Sequence, residues 1–210
     1  MGRAKHCPTP CVLGQLALLR PRDLPEPIAR VFVITGPSGV GKGTLIRSLV
    51  QQVPELEVSV SATTRPPRPG EADGVDYHFL TEAEFDARLA DGDFVEHAAY
   101  SGHRYGTLRS ELESRVQAGA PVVLEIEIQG ARQVREAMPE AVQVFIAPPS
   151  PEALRARLVG RGTNSPRDME ARMRTAREEM AAQDEFGHVV VNDRLETAVG
   201  ELVAIVRGSL

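Results

Sequence analysis

The run Gly36-Pro37-Ser38-Gly39-Val40-Gly41-Lys42-Gly43-Thr44 contains the residue types needed to bind an anion. Glycines let the backbone curl so that several N–H groups point at one oxyanion, and a lysine ammonium can reach between phosphate oxygens. The apolar segment 31–34 precedes the run and predicts a buried strand, while apolar residues at helical spacing follow it over 45–53. This order of strand, glycine-rich turn, lysine and helix predicts a phosphate-binding loop, and the alternative is a glycine turn that binds nothing.

The residue after the lysine departs from the usual loop, in which a serine or threonine at that position ligates magnesium. Here the position is Gly43, and the hydroxyl comes one residue later, at Thr44. Glycine followed by threonine resembles the loop of nucleoside monophosphate kinases more than that of GTPases. The sequence of the loop therefore does not determine which residues ligate magnesium.

Two arginines could form a second anion site. Arg65 and Arg68 are separated by prolines, which stiffen the chain and could hold two guanidinium groups facing one phosphate. Hydroxyls from Ser61 and Tyr77 could complete the site. The alternative is a solvated surface loop, and the phosphate-binding loop upstream favours the second anion site.

Glu125 and Glu127 come near the end of the apolar segment 121–130, which predicts a strand. Residues two apart in a strand share a face, and ligands bind at the carboxyl ends of parallel strands. Because paired buried acids are costly without a cation, this arrangement implies Mg²⁺ or a substrate as a partner.

The composition limits the possible partners and location. The chain has 210 residues and a net charge of −5, so no basic field favours nucleic acid or an anionic membrane. No apolar run approaches the roughly 18 residues of a membrane span. Cys7 and Cys11 are the only cysteines, which fits a reducing compartment, and with His6 they lack a fourth zinc ligand.

Residues 1–29 are proline-rich and predict a loosely ordered extension. Within them, the segment 12–19 resembles a signal peptide but lacks a cleavage site.

The elements around these residues alternate between strand and helix. Strands are predicted at 31–34, 57–60, 94–96, 121–130, 142–146 and 188–193. Helices are predicted after the glycine-rich loop, after the capping box Thr81–Glu84, from about Ala131, after Ser150-Pro151, after Ser165-Pro166 and over 195–206. This alternation predicts an α/β fold with a parallel sheet.

Residues 61–71 read Ser-x-Thr-Thr-Arg-x-x-Arg-x-Gly-Glu, and residues 74–79 read Gly-x-Asp-Tyr-x-Phe. Together with the glycine-rich loop, these motifs resemble guanylate kinase over residues 31–207. The resemblance implies a three-layer α/β P-loop NTPase core with a parallel sheet, within a domain of residues 30–207. It places the core at 30–60 and 108–207, an inserted GMP-binding subdomain at 61–107, and a mobile lid at 160–172.

The resemblance also implies roles for individual residues. The implied ATP-binding residues are the loop and one residue near adenine: Gly36, Pro37, Ser38, Gly39, Val40, Gly41, Lys42, Gly43, Thr44 and Asn192. The implied GMP-binding residues are Ser61, Arg65, Arg68, Tyr77, Glu96, Tyr105, Thr107, Glu125 and Glu127. The implied catalytic residues are Lys42, Arg157, Arg161 and Arg172. Magnesium could bind Thr44 or, through water, Glu127. The family usually has aspartate at the position of Glu127 and often has serine at the position of Thr107.

The implied function is transfer of the γ-phosphoryl group of Mg·ATP to GMP, and also to dGMP, in cytoplasmic purine metabolism and GMP recycling. The implied partners are these small molecules, with no nucleic acid and no membrane. Guanine presents N–H donors at N1 and N2, which a carboxylate such as Glu96 can accept together, while O6 can accept from the Thr107 hydroxyl. Two alternatives stay open: a kinase for another small molecule on the same scaffold, and a non-catalytic interaction module of the same fold.

Overall fold

The computed structural model describes residues 30–160 and 166–210. The predicted extension 1–29 and residues 161–165 of the predicted lid, with Arg161, lie outside the described residues. Within them, no helix is long and apolar enough to cross a bilayer.

A parallel sheet forms the centre of the molecule. In chain order its strands are β1 (Val31–Thr35), β2 (Glu57–Val58), β7 (Val122–Glu125), β8 (Val142–Ala147) and β9 (His188–Val191). Their spatial order is β2-β7-β1-β8-β9, and every neighbouring pair is parallel. The strands are apolar because both faces of the sheet are covered.

Helices cover both faces and make three layers. One layer contains α1 (Lys42–Gln52), α5 (Pro151–Gly160), α6 (Pro166–Ala181) and α7 (Leu195–Ser209); the other contains α3 (Arg109–Gln117) and α4 (Ile128–Ala137). The C-terminal part of α6 also contacts the second core through Met180. Alternate residues of β1 belong to opposite cores, since Phe32 packs with the first layer and Val33 with the second. The predicted three-layer α/β fold is confirmed.

A second, four-stranded sheet lies between β2 and α3 in the chain. It contains β3 (Ala62–Thr63), β4 (His78–Phe79), β5 (Phe94–Tyr100) and β6 (His103–Leu108), in the spatial order β4-β3-β6-β5. Helix α2 (Glu82–Ala90) packs on it, with the Phe85 and Phe94 rings stacked at 4.4 Å between centroids. The helix begins with the predicted Thr81–Glu84 capping box. This sheet spans 62–108 and so nearly coincides with 61–107, the stretch where we predict the inserted subdomain.

The strand that carries the two acids is shorter than the sequence predicts. β7 ends at Glu125, and Glu127 is already the N-cap of α4, which begins at Ile128 and not near Ala131. The expectation that Glu125 and Glu127 share one strand face is therefore wrong. The apolar residues Ile126 and Ile128 made the predicted strand longer than the observed one. They are buried in the second core, beyond the C-terminal end of β7.

Candidate active site

The glycine-rich loop closes between β1 and α1 as a turn that only glycine permits. Gly36 has φ +143°, and a Cβ there would lie 2.3 Å from the Ile146 carbonyl oxygen. Gly41, at φ +104°, is the N-cap of α1. Lys42 is buried, and its ammonium donates a 2.6 Å hydrogen bond to the Gly36 carbonyl oxygen. This bond holds the ammonium against the loop at a helix N-terminus, the combination that binds phosphate.

Two predicted site residues bind the loop backbone. The Asn192 side-chain amide donates to the Val40 carbonyl oxygen at 2.8 Å, and Arg157 donates to the same oxygen at 3.0 Å. Arg157 also donates to the Asn192 carbonyl oxygen at 2.7 Å. These bonds fix the loop; the proposed roles of Asn192 near adenine and of Arg157 in catalysis stay predictions.

Glu96 and Thr107 face each other across the β5–β6 ladder. The Thr107 hydroxyl donates to Glu96 Oε1 at 2.8 Å, and both side chains are buried. Burial raises the pKa of Glu96 to about 7, against the opposing effect of the Thr107 hydrogen bond. A buried carboxylate beside a hydroxyl is suited to a ligand that presents paired N–H donors and an acceptor.

Arg65 follows β3, is buried and is held by Glu71. Its Nη1 and Nη2 donate to the two Glu71 carboxylate oxygens at 3.0 Å each, and Nη1 also donates to the Pro66 carbonyl oxygen at 2.7 Å. The guanidinium lies 5.2 Å from the centroid of the Tyr77 ring. Hydrogen bonds from Arg65 lower the pKa of Glu71. The Arg68 side chain, in contrast, is exposed.

One cleft connects the loop with the second sheet. Its volume is about 170 Å³, and Lys42 lies on its wall together with the predicted residues Ser61, Tyr77, Glu96, Tyr105, Glu125 and Glu127. Thr107 reaches this group through its bond to Glu96. The cleft is not lined by the predicted residues Arg65, Arg68, Arg157, Arg172 and Asn192. The structure therefore gathers six of the predicted GMP-binding residues beside the lysine of the loop.

The two acids of the cleft provide oxygen ligands suited to a hard divalent cation. Desolvation and the neighbouring Glu127 raise the pKa of Glu125, and the charge of Lys42 opposes this shift. Glu127 Oε2 is buried and accepts no hydrogen bond from the described part of the chain. Because a buried carboxylate oxygen without a donor is costly, these residues fit Mg²⁺.

Sequence reasoning missed Glu179 on α6. Desolvation and the charge of Glu127 raise its pKa to about 7, while Lys42 and the Ser38 amide stabilise its ionised form. It therefore lies near the phosphate-binding loop. The sequence contains a signal, since Met173, Ala176 and Met180 fall at helical spacing and Glu179 lies on the same face. The structure confirms that this face points inward, because Ala176 is buried. Glu71 was missed as the Arg65 partner, because no local pattern links a carboxylate to one particular arginine.

Comparisons with known proteins agree on one family. The family model described as guanylate kinase matches residues 28–208. A guanylate kinase of Mycolicibacterium paratuberculosis is 53% identical over 189 residues, covering 88% of this chain and 85% of its own. A guanylate kinase of Frankia casuarinae is 54% identical over 177 residues, which cover 84% of this chain and 96% of the relative. The crystal structure of guanylate kinase from Anaplasma phagocytophilum matches with a TM-score of 0.70 at 32% identity, covering 86% of each chain.

Proposed function

Because the chain belongs to the guanylate kinase family and is thus a phosphotransferase, we propose that it transfers the γ-phosphoryl group of ATP to GMP, giving ADP and GDP. The observation that carries this proposal is the shared cleft, in which Lys42 of the glycine-rich loop and Glu96 of the second sheet line the same walls. A phosphoryl group can pass between two nucleotides only if both bind within one such space.

Each end of the cleft has a distinct task in the proposed reaction. Lys42 and the loop amides hold the ATP phosphates. Arg65 and Arg68, with Ser61, Tyr77 and Tyr105, hold the GMP phosphate, which is the nucleophile. No general base is needed, because a nucleotide phosphate is already an anion at neutral pH. Arg157, Arg161 and Arg172 stabilise charge on the transferred group when the lid over 160–172 closes and excludes water.

The acids support a magnesium ion as the cofactor. Glu125 and Glu127 would hold it, directly or through water, and the Thr44 hydroxyl is a further candidate ligand. When bound, Mg²⁺ neutralises charge on the ATP phosphates and aligns them. The support from this chain is the buried Glu127 oxygen that accepts no hydrogen bond from the described residues.

Glu96 and Thr107 account for the choice of base. The ionised carboxylate accepts N1–H and N2–H of guanine, and adenine offers the opposite pattern at N1. The residues proposed for GMP recognise the base and the phosphate, so we expect dGMP to be a substrate too. This activity would serve purine nucleotide metabolism and GMP recycling in the cytoplasm, where ATP is available.

A steady-state assay with ATP and a set of acceptors tests the function. We expect turnover with GMP and dGMP and much slower turnover with AMP and ribose phosphates. Comparable rates with AMP or a sugar phosphate would favour the alternative of a kinase for another small molecule. Binding of GMP without any turnover would favour the non-catalytic interaction module.

Two substitutions test the assigned ends of the cleft. Lys42→Met should reduce turnover by roughly 10²-fold or more, because one charge-stabilising donor is lost, while GMP still binds. Glu96→Gln should raise the KM for GMP far more than that for ATP, because one accepting oxygen becomes a donor. Arg88→Met, which removes a half-exposed charge on α2 that pairs with Asp93 outside the cleft, is the matched control for charge removal. Unchanged turnover in Lys42→Met would disprove its role.

A further inference from the structure

Gly130 lies in the first turn of α4, directly against the Glu96 carboxylate. A Cβ at Gly130 would lie 2.1 Å from Glu96 Oε2, 2.8 Å from Cδ and 3.4 Å from Cγ. A methyl group cannot occupy the first two of these separations, so the carboxylate stays in its present position only while residue 130 has no side chain.

The backbone at Gly130 does not itself require glycine. The residue is helical and is not among the glycines with positive φ. Alanine would favour the helix, since glycine is among the weakest helix formers. The packing of Glu96, and not a turn or strain, is therefore the physical reason for glycine at this position.

Contacts on both sides restrict where Glu96 can go. Strand β5 is tied to α4 by Gln133, whose side-chain amide accepts from His97 N at 3.1 Å and donates to His97 O at 2.7 Å. Thr107 holds the other carboxylate oxygen, Oε1, at 2.8 Å. Since Glu96 is only 3% exposed, its carboxylate lies between Thr107 and the bare backbone of α4.

We propose that Gly130 is a specificity-determining residue, because its missing side chain sets the position of the Glu96 carboxylate and through it the affinity and selectivity for guanine. The inference rests on the proposed function. The atom that a Cβ would meet first is the far end of the Glu96 side chain and not backbone. The fold can therefore absorb the added methyl by moving the carboxylate, and the effect falls on recognition.

The test substitution is Gly130→Ala, assayed with ATP, GMP and IMP, whose base lacks the 2-amino group. We expect the KM for GMP to rise about 10- to 100-fold, the equivalent of losing one charge-assisted hydrogen bond, with the KM for ATP nearly unchanged. The preference for GMP over IMP should shrink, because a displaced carboxylate no longer accepts both guanine N–H groups. Gly200→Ala in α7, where a Cβ would meet nothing within 4 Å, is the matched control.

A double variant separates this role from a general disturbance. Glu96→Asp withdraws the carboxylate by one methylene. Gly130→Ala should therefore raise the KM for GMP much less in the Glu96→Asp background than in the wild-type background. Thermal unfolding and calorimetric GMP binding should accompany the kinetics.

The outcomes that overturn the inference are distinct from failure of the proposed function. Wild-type protein that does not phosphorylate GMP would refute the function and this inference with it. Wild-type turnover of GMP with an unchanged KM in Gly130→Ala would refute only the inference. An equal rise in both KM values, or loss of the fold, would also overturn it, since the inference requires that only the Glu96 carboxylate moves.

Discussion

The guanidinium of Arg65 is bound end-on by both carboxylate oxygens of Glu71, at 3.0 Å each. With the bond to Pro66, these contacts use three of its five N–H groups. The N–H groups on Nε and on the other side of Nη2 make up the remaining fork, which matches the geometry of a phosphate. Glu71 thus orients a buried arginine whose second fork is suited to the phosphate of GMP.

Removing the charge of Glu71 should weaken that orientation. We expect Glu71→Gln to raise the KM for GMP about tenfold, because a buried arginine loses one charge-assisted bond and its fixed position. The KM for ATP should stay unchanged. Glu82→Gln, which removes one of the two exposed acidic partners of Arg104, is the control. A tighter interaction of GMP with Glu71→Gln would instead mean that Glu71 competes with the phosphate.

The use of GMP should depend on pH through Glu96. Its pKa lies at about 7, and guanine requires the ionised carboxylate. Below pH 7 the protonated fraction grows, so kcat/KM for GMP should fall by about tenfold per pH unit while kcat at saturating GMP falls less. We would measure kcat/KM for GMP between pH 5.5 and 8.5 in wild type and in Glu96→Gln. In the variant, the fall caused by protonation of Glu96 should disappear, and only the effect of substrate titration should remain. Identical profiles in both proteins would assign the titration elsewhere.

The same carboxylate should reduce the stability of the ligand-free protein at high pH. A carboxyl group whose folded pKa is raised from 4.5 to about 7 binds its proton more tightly when folded, so stability is lost as pH rises through this window. Glu96→Gln should then be more stable than wild type at pH 8, by up to about 3 kcal/mol from the pKa difference. The gain should shrink as the pH approaches 4.5. Urea unfolding at pH 8 and pH 5 measures it, with the exposed Glu140→Gln as control; a gain of the same size at both pH values would contradict the assignment.

Asn192 should support ATP binding through the loop. Its side-chain amide and Arg157 share the Val40 carbonyl oxygen. Asn192→Ala should cost about 1 kcal/mol of stability for the lost buried hydrogen bond and raise the KM for ATP several-fold, with little change for GMP. Thermal unfolding and steady-state kinetics measure the two effects, and the exposed neighbour substitution Asp193→Ala is the control. An effect on GMP alone would argue against this role.

Several features of the fold and site could be predicted from the sequence because they depend on near neighbours. The glycine-rich turn, the Thr81–Glu84 capping box and the start of α5 after Ser150 each involve residues within a few positions of one another. The alternation of strands and helices likewise predicted an α/β fold with a parallel sheet, and the family resemblance implied its three layers. The family resemblance then indicated which polar residues belong to the site.

Other features were decided only by tertiary packing. Glu127 caps α4 instead of continuing β7, Glu179 reaches the glycine-rich loop from α6, and Gly130 approaches Glu96 from a separate element. None of these has a local sequence signal as strong as a capping box, because each depends on where two distant segments meet. Periodicity describes which side of an element is buried, whereas the contact between a missing Cβ and a carboxylate depends on the packing of α4 against β5.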